Sequence, residues 1–251
     1  GASSIYIHIH RHLSYEPWAR DHGPILLKHK SKGQVIATNW KYNAWGEKYP
    51  PYDLDNKIPP QSAIKLGLEI HDFDMVLEGG SIEVNGAGDL ITTESCLLNP
   101  NRNPNFSRDQ IEGALTRGLG VERIHWLKSG IEGDDTDGHI DDLTRFIDKN
   151  TLITVVEDNR DDENYQALQD NLHHLNSFHN ENGKSFNVVE LPMPSPIIRN
   201  GQRLPASYAN FYIANELIIL PIFNVPEDGI AEEILQHSFP DRTVVPMDSS
   251  Q

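Results

Sequence analysis

The sequence predicts an α/β fold built from repeated units, and three observations predict it. A β-hairpin, a helix and a single strand recur in the same order four times. The copies follow one another at roughly 60 residues, a period that suggests a repeat architecture such as a propeller of α/β blades. Turn signals, Ser31-Lys32-Gly33 and Asn85-Gly86 among them, fall between paired strands.

The elements can be justified in order. "SIYIHIH" at the start reads as the last strand of a unit, with His8, His10 and His12 alternating with Ile5, Ile7 and Ile9. "GPILLKHKSKGQVIATNW" is the first full hairpin, followed by a helical stretch "PQSAIKLGL" and a brief strand near "EIHDF". "SIEVNGAGDLITTESCLL" is the second hairpin, which places Cys96 in its second strand. The helix after it opens on Ser107 with Gln110 in the capping-box position, and its Ile111, Leu115 and Leu119 recur at helical spacing. "RIHWL" closes that unit. "DLTRFIDKNTLITVVE", "DENYQALQDNLHHLNSF" and "SFNVVELP" form the third copy; "ASYANFYIANELIILPIF", "DGIAEEILQHSF" and "RTVVPM" form the fourth. The expected units are about 1–12 (partial), 13–74, 75–128, 129–192 and 193–251, within a single domain spanning 1–251. The chain stops at "MDSSQ", where a fifth hairpin would begin, so a closed ring would lack part of one blade.

Composition narrows the function. The 251 residues carry 21 Lys+Arg against 37 Asp+Glu, a formal net charge of −16. Such a surface repels nucleic acid and anionic membranes and attracts cations. No apolar run approaches the roughly 18 residues a membrane span needs. The one cysteine, Cys96, excludes an internal disulfide and suits a reducing, cytoplasmic compartment. The oligomeric state is not legible; a homodimer is one arrangement.

An unusual polar group precedes each hairpin. "EPWARDHGP" holds Trp18, Arg20 and Asp21; "LEGGS" holds Glu78; "DDTDGHIDD" surrounds His139 with five aspartates; "RLPASYAN" holds Arg203 and Asn210. If the units ring an axis, Asp21, Glu78, His139 and Asp141 line one central pocket. The aspartate-rich stretch fails as a P-loop, because His139 stands where a lysine is needed. It fails as an EF-hand, because Gly133 and Thr144 fall at the first and last ligand positions. A zinc site would want more histidines or cysteines than His139 alone, so no metal and no cofactor is expected. A cationic substrate remains: carboxylates arranged in plane pair with a guanidinium's fork of donors, and Trp18 could stack on it.

"WARDHGP", "EGGSIEV", "TTESCLLNPNRNP", "DDTDGHIDD" and "ASYANFYI", taken in order, resemble the agmatine deiminase family, which groups with the bacterial-type peptidylarginine deiminases in the guanidino-group-modifying, or pentein, superfamily. The resemblance implies a five-bladed pseudo-symmetric α/β propeller, incomplete here at one or both ends. It implies hydrolysis of a guanidine to a urea with release of ammonia, on agmatine or on free or peptidyl arginine. Asp21 and Asp141 would grip the guanidinium, Glu78 would join the acidic shell, and Trp18 and Asn210 would help to bind. His139 would be the general acid and base. The two-residue spacing of His139 and Asp141 would turn both to one side of an extended segment. The family's nucleophile is a cysteine near the C-terminus, expected beyond Gln251, and Cys96 is read as structural. On that reading these 251 residues lack activity alone, and a non-catalytic guanidine binder or a metal-dependent hydrolase are the alternatives.

Overall fold

The computed structural model describes residues 9–250, in two compact units that meet in sequence at Gly79 and Gly80. The expected N-terminal strand lies almost wholly outside the described residues; Ile9 and His10 are irregular.

In the first unit, β1 (Ile25–Lys28) and β2 (Val35–Lys41) pair antiparallel, with Ile25 opposite Thr38 and Lys28 opposite Val35. A helix, α1 (Ile58–Leu66), leads to β3 (Glu69–Val76), which runs parallel to β2. Proline near the start of α1 and left-handed Gly67 (φ 65°) after its end delimit the helix. The strand expected to be brief therefore runs eight residues, and Trp40 stacks on Phe73 at 4.3 Å across the parallel pair.

Between β2 and α1 the backbone does something the pattern of apolar residues does not announce. Ala44, Trp45, Gly46 and Glu47 have φ of 50°, 55°, 85° and 64°, one turn in the left-handed region. Each non-glycine residue there costs about 1–2 kcal/mol. Asn43 holds the turn by accepting the Gly46 N–H on its side-chain oxygen at 3.0 Å. Tyr42, Ala44 and Trp45 are buried together, with Tyr52 packed against them.

The second unit repeats the same construction three times. β4 (Glu83–Val84), β5 (Asp89–Thr93) and β6 (Arg123–Leu127) form one sheet, with helix α2 (Arg108–Leu119) ahead of β6. β7 (Thr144–Asp148), β8 (Thr151–Val156) and β9 (Asn187–Pro192) form the next, with α3 (Tyr165–Leu175) ahead of β9. After a small ribbon of β10 (Ile198–Arg199) and β11 (Gln202–Arg203) come β12 (Tyr212–Ile213), β13 (Leu217–Ile222), α4 (Asp228–Ser238) and β14 (Thr243–Asp248). In each sheet the hairpin is antiparallel and the last strand parallel. A parallel return needs a crossover, which the helix supplies. The central strands β5 and β8 are buried nearly throughout, as strands covered on both faces should be.

The Ser107–Gln110 capping box forms reciprocally. Cys96 departs from expectation. It lies in a helical turn, Glu94–Leu97, not in a strand, because the Thr93 hydroxyl accepts the Cys96 N–H at 3.2 Å and caps a new helix start. Among the described residues, no helix is long and apolar enough to cross a membrane.

Candidate active site

Trp18, Asp21 and Glu78 fall in the first unit; His139, Asp141 and Asn210 fall in the second. Asp21 is carried on a helical turn, Ala19–His22, and is buried to 9% exposure. Its Oδ2 accepts the indole N–H of Trp45 at 3.0 Å. Glu78 is fully buried at the end of the segment after β3. The next residue must be glycine there, since a Cβ on Gly79 would collide with the Arg20 carbonyl. Burial, with the negative charges of Asp21, Asp55 and Glu78, pushes the Tyr42 phenol well above its ordinary value. Trp18 is 59% exposed.

In the second unit, the loop from Gly130 to His139 is folded around its own aspartates. Asp134 accepts from the Thr136 N–H (2.8 Å) and hydroxyl, from the Gly138 N–H (2.8 Å) and from the His139 N–H (3.2 Å). Asp137, left-handed at φ 70°, pairs with Arg102 at 2.6 Å, and Arg102 also donates to the Thr136 carbonyl at 2.8 Å. Gly138, at φ 100°, passes so close to Ser95 and Gly130 that a Cβ would strike both. Two asparagines approach this loop from α3 and its start: Asn171 bonds Lys128 N and Ser129 O, and Asn164 accepts from Glu132 N at 2.6 Å. The Thr93 hydroxyl donates to the Gly138 carbonyl at 2.6 Å. Thr93 thereby couples the Cys96 turn to the histidine loop, and the Cys96 sulfur lies within 4.8 Å of a ring nitrogen of His139.

His139 and Asp141 do meet, with Nδ1 and Oδ1 3.9 Å apart and both residues buried. The route is not the expected extended segment. Ile140–Asp142 is a 3-10 turn, because Ile140 must enter the apolar core, where it is fully buried beside Leu143. Asn210 is bound to the next aspartate along: its amide donates to Asp142 at 2.8 Å. Ser207 donates to the Asp142 carbonyl at 2.7 Å, and Arg145 reaches the carbonyls of Ala209 and Phe211 at 3.1 and 2.7 Å. Burial, then the charges of Asp141 and Asp134, raise the Asp142 carboxyl well above the carboxylate range, against the opposing pull of His139 and Asn210. Burial works against the Arg145 charge, but Glu83, Asp141 and Asp142 outweigh it and raise its affinity for the proton.

A buried imidazole beside a carboxylate is equipped to take up and release a proton, and clustered carboxylates suit a cation. Sequence reasoning overlooked Trp45; the one signal available was Asn-Ala-Trp-Gly, where Asn and Gly both favour left-handed turns. Arg102, in the "TTESCLLNPNRNP" stretch, is committed to Asp137.

These features define an α/β protein of repeated ββαβ units with an acidic, histidine-bearing site. The chain matches the Porphyromonas-type peptidyl-arginine deiminase family over residues 2–251, and it belongs to that family, which includes the agmatine deiminases. A Legionella pneumophila (strain Paris) protein provisionally named as an agmatine deiminase is 37% identical over 93% of this chain and 68% of its own length. A C. jejuni agmatine deiminase, solved as a Cys-to-Ser variant with substrate bound, is 36% identical with TM-score 0.88, covering 95% of this chain and 70% of that one. The agmatine deiminase of Enterococcus faecalis is 31% identical with TM-score 0.88, covering 93% and 70%. An amidinotransferase from Microseira wollei, at 14% identity and TM-score 0.52, shares the fold alone. The fold is thus the α/β pentein class.

Proposed function

We propose that this chain belongs to a hydrolase that converts agmatine to N-carbamoylputrescine and ammonia, as the names of its relatives suggest. The four ββαβ sheets are read as blades of a five-bladed propeller forming a single catalytic domain. Asp21, Glu78 and Asp141 would hold the guanidinium, with Trp18 and Asn210 as further substrate contacts. A cysteine thiolate outside these 251 residues would attack the guanidinium carbon. The new C–S bond forms, a C–N bond breaks, and ammonia leaves with a proton from His139. His139 then takes a proton from water, and the resulting hydroxide adds to the same carbon. The C–S bond breaks as the added hydroxyl loses its proton to solvent, giving the ureido product and free thiolate.

The observation that carries this reading is the buried His139–Asp141 pair at 3.9 Å. Of the arginines in the site segments, Arg102 and Arg203 are engaged with Asp137 and Asp162, while Arg20, beside Asp21, is exposed. The preference for agmatine over free arginine is supported by the names of the relatives. The test is the full-length natural protein incubated with agmatine, arginine and a peptidylarginine, measuring ureido product. His139→Ala should abolish turnover and Cys96→Ser should leave it largely intact; the reverse pattern sinks the assignment.

A further inference from the structure

We propose that Trp45 is a positioning residue for Asp21, and that the left-handed turn Ala44–Glu47 serves to present its indole N–H to that carboxylate. The inference rests on the proposed role of Asp21 in gripping a guanidinium.

Four observations within the first unit converge on it. The Trp45 Nε1 donates to Asp21 Oδ2 at 3.0 Å, between residues that are both buried and lie 24 positions apart in sequence. An indole can only donate, and it has one N–H, so the bond defines which carboxylate oxygen it occupies and the rotation of the group. The indole itself is held by edge contacts with Tyr42 (5.4 Å, 89°) and Tyr49 (5.7 Å, 81°). Tyr42 also meets the ring of His22, the residue after Asp21, at 5.5 Å, and the His22 ring bonds the Glu16 carbonyl at 3.2 Å. The same tyrosine therefore packs against the indole and against the residue that follows Asp21.

The backbone supplies the strongest reason to look beyond packing. A core tryptophan needs some acceptor for its N–H, and any buried carbonyl would serve. This one is placed by three non-glycine residues in the left-handed region, Ala44, Trp45 and Glu47. Such conformations persist where the surroundings over-determine them, and they cluster at functional sites. Guanidinium recognition by a carboxylate is planar and bidentate, so a carboxylate that rotates freely would lose it. A neutral donor fixes that rotation without adding a cation that would compete with the substrate.

The test uses the full-length protein and two readouts. Each tryptophan gives an indole ¹H–¹⁵N signal, and Trp45→Phe identifies the one from Trp45. That signal should shift in Asp21→Asn and, in the unaltered protein, on addition of agmatine. The Trp40 signal, whose N–H goes to Thr38 Oγ1 at 2.9 Å, should stay in place. In turnover, Trp45→Phe should raise KM for agmatine tenfold or more while kcat changes less than threefold. A merely structural role would lower the folded fraction and leave KM unmoved. An indole signal indifferent to Asp21→Asn, or an unchanged KM in folded Trp45→Phe, overturns the proposal. If Trp45→Phe is hard to obtain, the Trp45 indole is assigned from its through-bond backbone correlations and the Asp21→Asn readout stands alone. If the unaltered protein neither turns over nor binds agmatine, the deiminase reading fails first and this inference with it.

Discussion

Arg102 and Asp137 close an ion pair at 2.6 Å, with the arginine side chain wholly buried, and this pair holds the left-handed corner of the loop that carries His139. Removing one partner of a buried pair leaves the other uncompensated. Arg102→Met is expected to cost about 3 kcal/mol, at the lower end of the usual range because Asp137 keeps some contact with solvent. The urea midpoint of the variant measures it. A loss below about 1 kcal/mol would show that the loop closes without the pair.

Asp134 is bound to His139 through the backbone. Its carboxylate gathers Thr136, Gly138 and the His139 N–H, so it sets where the imidazole starts. Misplacing a reacting group by an ångström costs on the order of 100-fold. Asp134→Ala should therefore lower kcat by about that factor in the full-length enzyme, with a smaller change in KM. Asp134→Asn, which keeps one acceptor oxygen, should recover part of the loss. An apparent kcat loss in both variants matched by an equal loss of folded fraction, with KM unmoved, would argue for general unfolding instead.

Asp142 governs a pH dependence whose sign follows from its environment. Burial and the neighbouring Asp141 and Asp134 raise its carboxyl in the folded state. The folded chain then holds this proton more tightly than the unfolded chain, whose carboxyl titrates near about 4. Its contribution favours folding below that value and is lost as pH rises towards the raised folded one. Asp142→Asn retains an oxygen for the Asn210 amide and removes the charge. The variant should gain thermal midpoint relative to the parent at pH 7–8 and lose that advantage near pH 4. A difference that grows on acidification would contradict the assignment.

Glu47 offers a test of the strained turn that leaves Trp45 in place. Its φ of 64° suits glycine, and its carboxylate makes only an exposed bond with the Tyr52 hydroxyl at 3.1 Å. Glu47→Gly should stabilise the protein by up to about 1 kcal/mol, read as a higher thermal midpoint. A fall in the midpoint would mean that the Glu47 side chain, and not backbone strain, dominates there.

Much of the architecture was legible in the chain. Alternating apolar residues with turn signals placed the hairpins, and Ser107 with Gln110 placed a helix start that forms as written. Local rules reach this far because hairpin register and helix caps are decided within a few residues. The same locality explains the miss at Cys96. The apolar run "SCLL" suits a strand, but the Thr93 cap converts it into a helical turn tied to Gly138, 45 residues on.

The site divides the same way. Sequence alone singled out His139 and Asp141, because five aspartates around a histidine need a positive partner. It could not say how the two residues meet, since their spacing fits both an extended segment and a turn. Burial of Ile140 in the core selects the turn. It set Asp141 apart from the other aspartates, read as shaping the turn or capping backbone N–H groups, but could not say what each of those holds. Asp134, Asp137 and Asp142 look alike in the chain, and only their partners separate them: backbone N–H groups, Arg102 and Asn210. Trp45 and Asp21 carry no mutual signal across 24 residues. Composition and period pointed to a cationic ligand and to a repeated α/β fold. Tertiary packing alone decided which charges are neutralised, because the cost of a buried charge depends on what lies opposite it in space.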